Sequence, residues 1–227
     1  MWRFRETEAA STTGSSTAPG DERRVARADL ASRLDREIVC GLAPVSPMPR
    51  LDGRTQSELP DDYRYLLSED VMGEINLLTV MANNPDALRA YMRYGSALWE
   101  DCGLEAADVE RVILVVAREL DSAYEWHQHL PVAREQGVAE AELAAIAGNC
   151  LDDLDDRRAA IFEYARAVVA DDVDDAVFAA AAEVLDDSTL VGATLLATHY
   201  LATQRFLEAL SIPIEADEAF VGWSVDG

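Results

Sequence analysis

Beyond residue 50 the apolar side chains of this chain recur every third or fourth position and show no strand-like alternation. Helix breakers cut that pattern about every twelve to twenty residues, which is the length of ordinary helices. The pattern predicts an all-α domain. A first helix, from about Asp70, carries Ile75, Leu78 and Met81 on one stripe and ends at Asn83-Asn84-Pro85. Pro85 suits the first turn of the next helix, whose Leu88, Tyr91, Met92 and Trp99 face inward before Gly103 closes it. A third helix, from about Glu105 to Leu120, turns Val109, Val112, Ile113 and Val116 inward and leaves Glu110 at the margin of the stripe. A motif helix ending at Gly137 follows, then a short one from about Ala139 to Ala147. The acids Asp152 to Asp156 open a helix with Ile161, Tyr164 and Val168 inward, where negative charge suits the helix dipole. Another runs to about Leu185, and a long apolar one from about Ser188 to Leu210 is stopped by Pro213. The Asp clusters lack the glycine and terminal glutamate of a calcium loop and read as capped, solvated loops.

Upstream, residues 9–22 are rich in Ala, Ser, Thr and Gly and end in Pro19-Gly20, the composition of a disordered linker. Residues 21–40 are compatible with one charged helix. The expected division is an N-terminal extension, 1–50, partly disordered, and a helical domain, 51–227. Met48-Pro49-Arg50 marks the start of that domain and offers a second translation start. Trp223, in the tail, is expected to dock on the domain or on a neighbour.

The formal charge is −24, from 43 acids against 19 bases, and every one of those bases is arginine. An acidic surface without lysine is what a halophile's cytosolic protein looks like, and it has no basic stripe to neutralise phosphates. Nucleic acid is therefore excluded as a partner. No apolar run reaches the roughly 18 residues of a membrane span, and Met1-Trp2-Arg3-Phe4-Arg5 lacks a signal-peptide core. A soluble, cytoplasmic protein without membrane partners is expected. Cys40, Cys102 and Cys150 are too widely spaced for a C-x-x-C motif and read as free thiols.

The chemistry concentrates in Ser122-Ala123-Tyr124-Glu125-Trp126-His127-Gln128-His129. Residues four apart lie one above the other on a helix, so Glu125 and His129 can share a proton. A carboxylate against an imidazole is a general acid/base pair. His127 and His129 are two apart and face different sides, which argues against a shared metal ion, and no G-x-S-x-G elbow surrounds Ser122. His199, beside Tyr200 on the apolar last helix, reads first as a satisfied interior or interface histidine.

Together these residues resemble the carboxymuconolactone decarboxylase and alkylhydroperoxidase D-like superfamily, over most of residues 55–212. The resemblance rests on Asn84 to Leu88, the helix opening Glu110-Arg-Val-Ile-Leu, the Ala123 to Trp126 core, His129, and the His199-Tyr200 helix ending at Leu210. In the hydroperoxidase branch a glutamate precedes a C-x-x-C by a set interval and a histidine follows it. By position Glu110 takes the place of that glutamate, Ser122 and Glu125 those of the cysteines, and His129 that of the histidine. Without motif thiols a thiol-peroxidase cycle has neither its attacking nor its resolving group.

The resemblance therefore implies a cofactor-free, metal-free lyase or isomerase acting on a small carboxylic acid or lactone. Glu110, Glu125 and His129 would be catalytic, with His129 reprotonating an enolate. Ser122 and Tyr124 would donate hydrogen bonds to the substrate, Trp126 would exclude water, and Arg118 or Arg134 would meet an anionic group; His127 and His199 are further candidates. The resemblance also implies a homo-oligomer: a dimer, trimer or hexamer. Alkylhydroperoxidase activity, implied by the family label, and a non-catalytic ligand-binding oligomer are the alternatives.

Overall fold

The computed structural model describes residues 48–150, 154–215 and 220–223. After two 3-10 segments, Gln56–Glu58 and Asp61–Leu67, eight α-helices follow. They are α1 (Asn76–Met81), α2 (Pro85–Asp101), α3 (Ala106–Glu119), α4 (Ala123–Glu135), α5 (Glu140–Ala147), α6 (Asp156–Ala170), α7 (Asp175–Val184) and α8 (Asp187–Leu210). Among the described residues there is no strand, so the fold is all-α.

Side-chain caps explain four of the eight helix starts. Asn84 accepts a hydrogen bond from the Ala87 amide, with Pro85 in the first turn of α2. Asp155, Asp174 and Asp186 cap α6, α7 and α8 in the same way. Of the described acids in the expected loops, Asp155 and Asp174 are thus helix caps. Two starts depart from the sequence reading. The stretch from Asp70 is a turn containing Gly73, at φ +69°, and helix begins only at Asn76. The 3-10 segments carry no helical period and were not legible.

Helix α3 is the axis of the domain, packing against α4, α6 and α8. Every residue from Asp108 to Ala117 is buried, so this central stretch of α3 has no solvent face. Glu110, expected at the margin of an apolar stripe, is enclosed. Gly192 lets α8 approach the end of α2, since a Cβ there would lie 2.1 Å from the Cys102 carbonyl oxygen. At Gly103, φ is +86°, a conformation glycine adopts freely, and the chain turns there from α2 toward α3.

The apolar interior has two parts. The larger joins α3, α6 and α8 through Val112, Ile113, Phe162 and Leu196, and includes Trp126. The smaller gathers Leu66, Leu67, Leu78, Leu88 and Leu207, and includes Tyr124. Helix α4 thus lies on the seam between them. Trp223 packs edge-on against Trp126 and Phe220 against Trp223, so the tail docks on its own domain. The described residues fall within a compact unit spanning 46–227. The expectations for residues 1–47, including the linker and the charged helix, lie outside the described residues.

Candidate active site

Helix α4 begins after Ser122 and keeps Pro131 in its interior, which removes one bond of its ladder, the one to the His127 carbonyl. Its buried face carries Glu125 and His129 one turn apart, and α3 brings Glu110 against them. His129 Nδ1 lies 2.9 Å from Glu110 Oε2. A carboxylate accepts, so Nδ1 carries a hydrogen, and in the neutral imidazole Nε2 then keeps its lone pair. Nε2 lies 3.6 Å from Glu125 Oε2, just beyond hydrogen-bond range. All three side chains are more than nine-tenths buried. Burial pushes the Glu125 carboxyl up to about 7, with His129 pulling it the other way. Glu125 Oε1 is buried and has no hydrogen-bond partner.

Glu125 and His129 line a cavity of about 260 Å³ on the seam between the two apolar clusters. Tyr91, Trp99, Tyr124 and Tyr200 supply much of its remaining wall. The Trp99 indole donates to the Tyr200 hydroxyl at 2.8 Å, and Tyr200 meets the His129 ring edge-on at 5.0 Å between centroids. His199 is also on the wall, and burial lowers its imidazole to about 4, helped by the charge of His129. Tyr91 and His199, with ring centroids 4.8 Å apart, also line a second, more open hollow of about 340 Å³ together with Tyr94 and Phe206.

The structure brings Glu110, Glu125, His129, Tyr124 and His199 together and leaves five other candidates elsewhere. Ser122 Oγ is hydrogen-bonded to Gln204 and is absent from the wall. Trp126 donates to the Val221 carbonyl at 2.8 Å and belongs to the core. Arg118 is held by the Ala147 carbonyl and Asp121 and lies over the Trp223 ring, while Arg134 pairs with Glu140 on the surface. Neither arginine reaches the cavity, because both side chains follow loop and helix-end partners outward. His127, half-buried, is not on the wall. Among the described residues no three His, Cys, Asp or Glu side chains gather to hold a metal ion. No helix among them is long and apolar enough to cross a membrane.

Sequence reasoning missed Glu215. Its carboxylate accepts from Tyr124 Oη at 2.8 Å, from Gln128 Nε2 at 2.6 Å and from the Asn76 amide at 3.0 Å. It thereby ties the tail to the cavity wall and to the start of α1. The one local signal was that Tyr124 and Gln128 stand four apart, on the same face of α4.

This geometry defines an all-helical protein with a carboxylate–imidazole–carboxyl line at a buried apolar cavity. Residues 85–167, which hold Glu110, Glu125 and His129, match the model of the carboxymuconolactone decarboxylase family. No curated protein sequence matches the chain. A peroxidase-related protein with an alkylhydroperoxidase AhpD core from Ralstonia eutropha JMP134 is similar at TM-score 0.65 and 22% identity, covering 76% of this chain and 95% of that one. A peroxidase-related protein from Silicibacter sp. TM1040 is similar at TM-score 0.67 and 17% identity, covering 77% and 97%. A variant of the debrominase Bmp8 in complex with 2,3,4-tribromopyrrole is similar at TM-score 0.61 and 16% identity, covering 77% and 93%. At these identities the likeness is one of fold. The segment 85–167 is thus similar to the carboxymuconolactone decarboxylase family, and the chain shares the all-helical fold of the AhpD-like structures.

Proposed function

We propose that this protein is a cofactor-independent acid/base enzyme that moves a proton on a small molecule held in the cavity, as an isomerase or a lyase does. One observation carries the reading: Glu110, His129 and Glu125 stand in line, and the last two are on the cavity wall. Glu110 holds the imidazole with Nε2 as its free base, and it stabilises the imidazolium that forms when Nε2 takes a proton. Glu125, raised to about 7, gives up and regains a proton near neutral pH. In such a site one of the pair removes a proton from a carbon beside a carbonyl, and the enolate regains it at another atom. In the lyase variant, the enolate instead expels a leaving group from the neighbouring carbon, and the protonated partner delivers its proton to that group. Tyr200, whose oxygen accepts from Trp99, offers its own hydrogen to the developing oxyanion.

Because neither Arg118 nor Arg134 is on the wall, a lactone or enone without a free carboxylate suits the cavity better than the lactone acid. The Bmp8 complex supplies a precedent of fold only, for a small ring compound held by a related architecture. A peroxidase reading, suggested by the names of two relatives, needs a thiolate at the cavity. Among the described residues Cys102 and Cys150 are both off its wall. The apolar Val191 and Leu195, exposed along α8, support the homo-oligomer implied by the resemblance, which light scattering in molar potassium chloride tests.

The experiment is deuterium incorporation from heavy water into a panel of butenolides and cyclic enones, followed by NMR in molar potassium chloride. His129→Gln and Glu125→Gln should each slow exchange by about a thousandfold. Exchange unchanged by both substitutions would sink the acid/base reading. Peroxide consumption with a dithiol, run alongside and lost on Cys102→Ser or Cys150→Ser, would favour the peroxidase.

A further inference from the structure

The charge lining the cavity has one sign. Glu100 and Glu125 are on the wall and Glu110 is directly behind His129, while no arginine among the described residues lines it and the chain has no lysine. An imidazolium at His129 would already be matched by Glu110. A carboxylate entering this hollow would leave water for a site with no spare cation and with Glu125 beside it. An unpaired charge in such surroundings is among the least favourable things a protein interior can hold.

The wall also offers something that a different ligand would use. Glu125 Oε1 is buried and accepts no hydrogen bond, although Glu125 Oε2 on the same carboxyl faces His129. A buried acceptor without a donor is destabilising, and a ligand that brings the donor recovers that free energy on binding. The cavity that Glu125 lines is walled by the rings of Tyr91, Trp99 and Tyr200, with Leu77 and Met92.

Size narrows the choice. An apolar cavity of about 150 Å³ already holds benzene. The 260 Å³ here takes one ring with its substituents.

Resting on the acid/base reading of this same site, we propose that the cavity takes a small, flat ring compound that bears an N–H or O–H donor and no carboxylate. The donor meets Glu125 Oε1 and the ring lies among Tyr91, Trp99 and Tyr200. A protonated nitrogen would add attraction to the aromatic faces, and a neutral one keeps the same hydrogen bond. Selectivity then runs against the carboxylic acids implied by the resemblance.

The test is equilibrium binding by calorimetry at pH 7.5 in molar potassium chloride, with five one-ring probes. Aniline and phenol are neutral donors, benzylamine is a cationic donor, toluene has no donor and benzoate is an anion. At least one class of donor ring should bind about tenfold more tightly than toluene, and benzoate about a hundredfold more weakly than that ring. The order of aniline against benzylamine tells a neutral donor from a protonated one. Glu125→Leu should bring the donor rings to parity with toluene while toluene still binds. If that variant does not fold, Glu125→Gln, which keeps an uncharged acceptor, should reduce the advantage without removing it. Benzoate binding as tightly as the best donor ring, toluene matching every donor ring in the unaltered protein, or no ring binding at all would each overturn the proposal.

Binding is read without turnover. Selectivity for donors with no His129-dependent proton exchange would therefore break the acid/base reading alone, and a preference for benzoate with exchange intact would break the substrate class alone.

Discussion

Helix α3 buries two acids two residues apart, and their surroundings could hardly differ more. Asp108 is met by Arg111 at 3.1 Å, Arg157 at 2.8 Å and Arg158 at 3.5 Å, and Arg111 in turn holds Glu142 through two hydrogen bonds. That cluster stitches α3 to α5 and α6. Glu110, on the cavity side, has one imidazole, and Glu125 beyond it has an oxygen with no partner at all. Full compensation marks a structural cluster and under-compensation marks a reactive one, because a group whose charged form is poorly supported changes protonation state readily.

The contrast can be broken first on its structural side. Arg111→Met leaves Glu142 and part of Asp108 unpaired in a buried setting and should lower unfolding free energy by about 3 kcal/mol in urea titrations. Ring binding in the cavity should not change. Equal urea midpoints would mean that Arg157 and Arg158 suffice for Asp108, and the cluster would lose its structural meaning.

On the reactive side the sign reverses. Glu125 has a folded value of about 7 against 4.5 for a free carboxyl, so between those pH values the folded state retains a proton that the unfolded chain has released. Its contribution to stability is therefore present below pH 4.5 and is lost as pH rises toward 7. Glu125→Gln should remove that loss, making the protein about 3 kcal/mol more stable than the unaltered chain at pH 8 with little difference at pH 4.5. A variant that is no more stable at the higher pH would show that the buried carboxyl is better compensated than its contacts indicate.

The smallest effect concerns His199. Its folded value of about 4 lies below the free value of 6.5, so it stays neutral while the unfolded chain takes up a proton, and stability falls as pH drops from 6.5 toward 4. His199→Phe should abolish that fall, seen as a melting temperature that rises as pH drops from 6.5 toward 4.5, the slope that Glu125 alone gives. The two groups slope oppositely across nearly the same window and mask each other in the unaltered protein. Only the single substitutions expose them.

How much of this was readable from sequence depends on the distance over which each feature is determined. Helices α2 to α8 came through because burying one side of a helix leaves a period that a few residues suffice to reveal, and because Pro85 and the capping aspartates punctuate it. The Glu125–His129 pair was legible for the same local reason. Glu110 was drawn in by resemblance, since no spacing on α4 can indicate a partner 19 residues upstream. Ser122, Arg118 and Arg134 were misplaced because a side chain near a helix end takes whichever partner the packing brings: Gln204, Asp121 and Glu140 here. Glu215 follows Pro213 in an irregular tail and acquires its meaning only when that tail folds back onto α4.

The shared wall of Tyr91 and His199 has one more consequence. Because both rings line both hollows, a rotation of either one reshapes the two spaces together, on the scale of rotamer exchange, while every helix stays where it is.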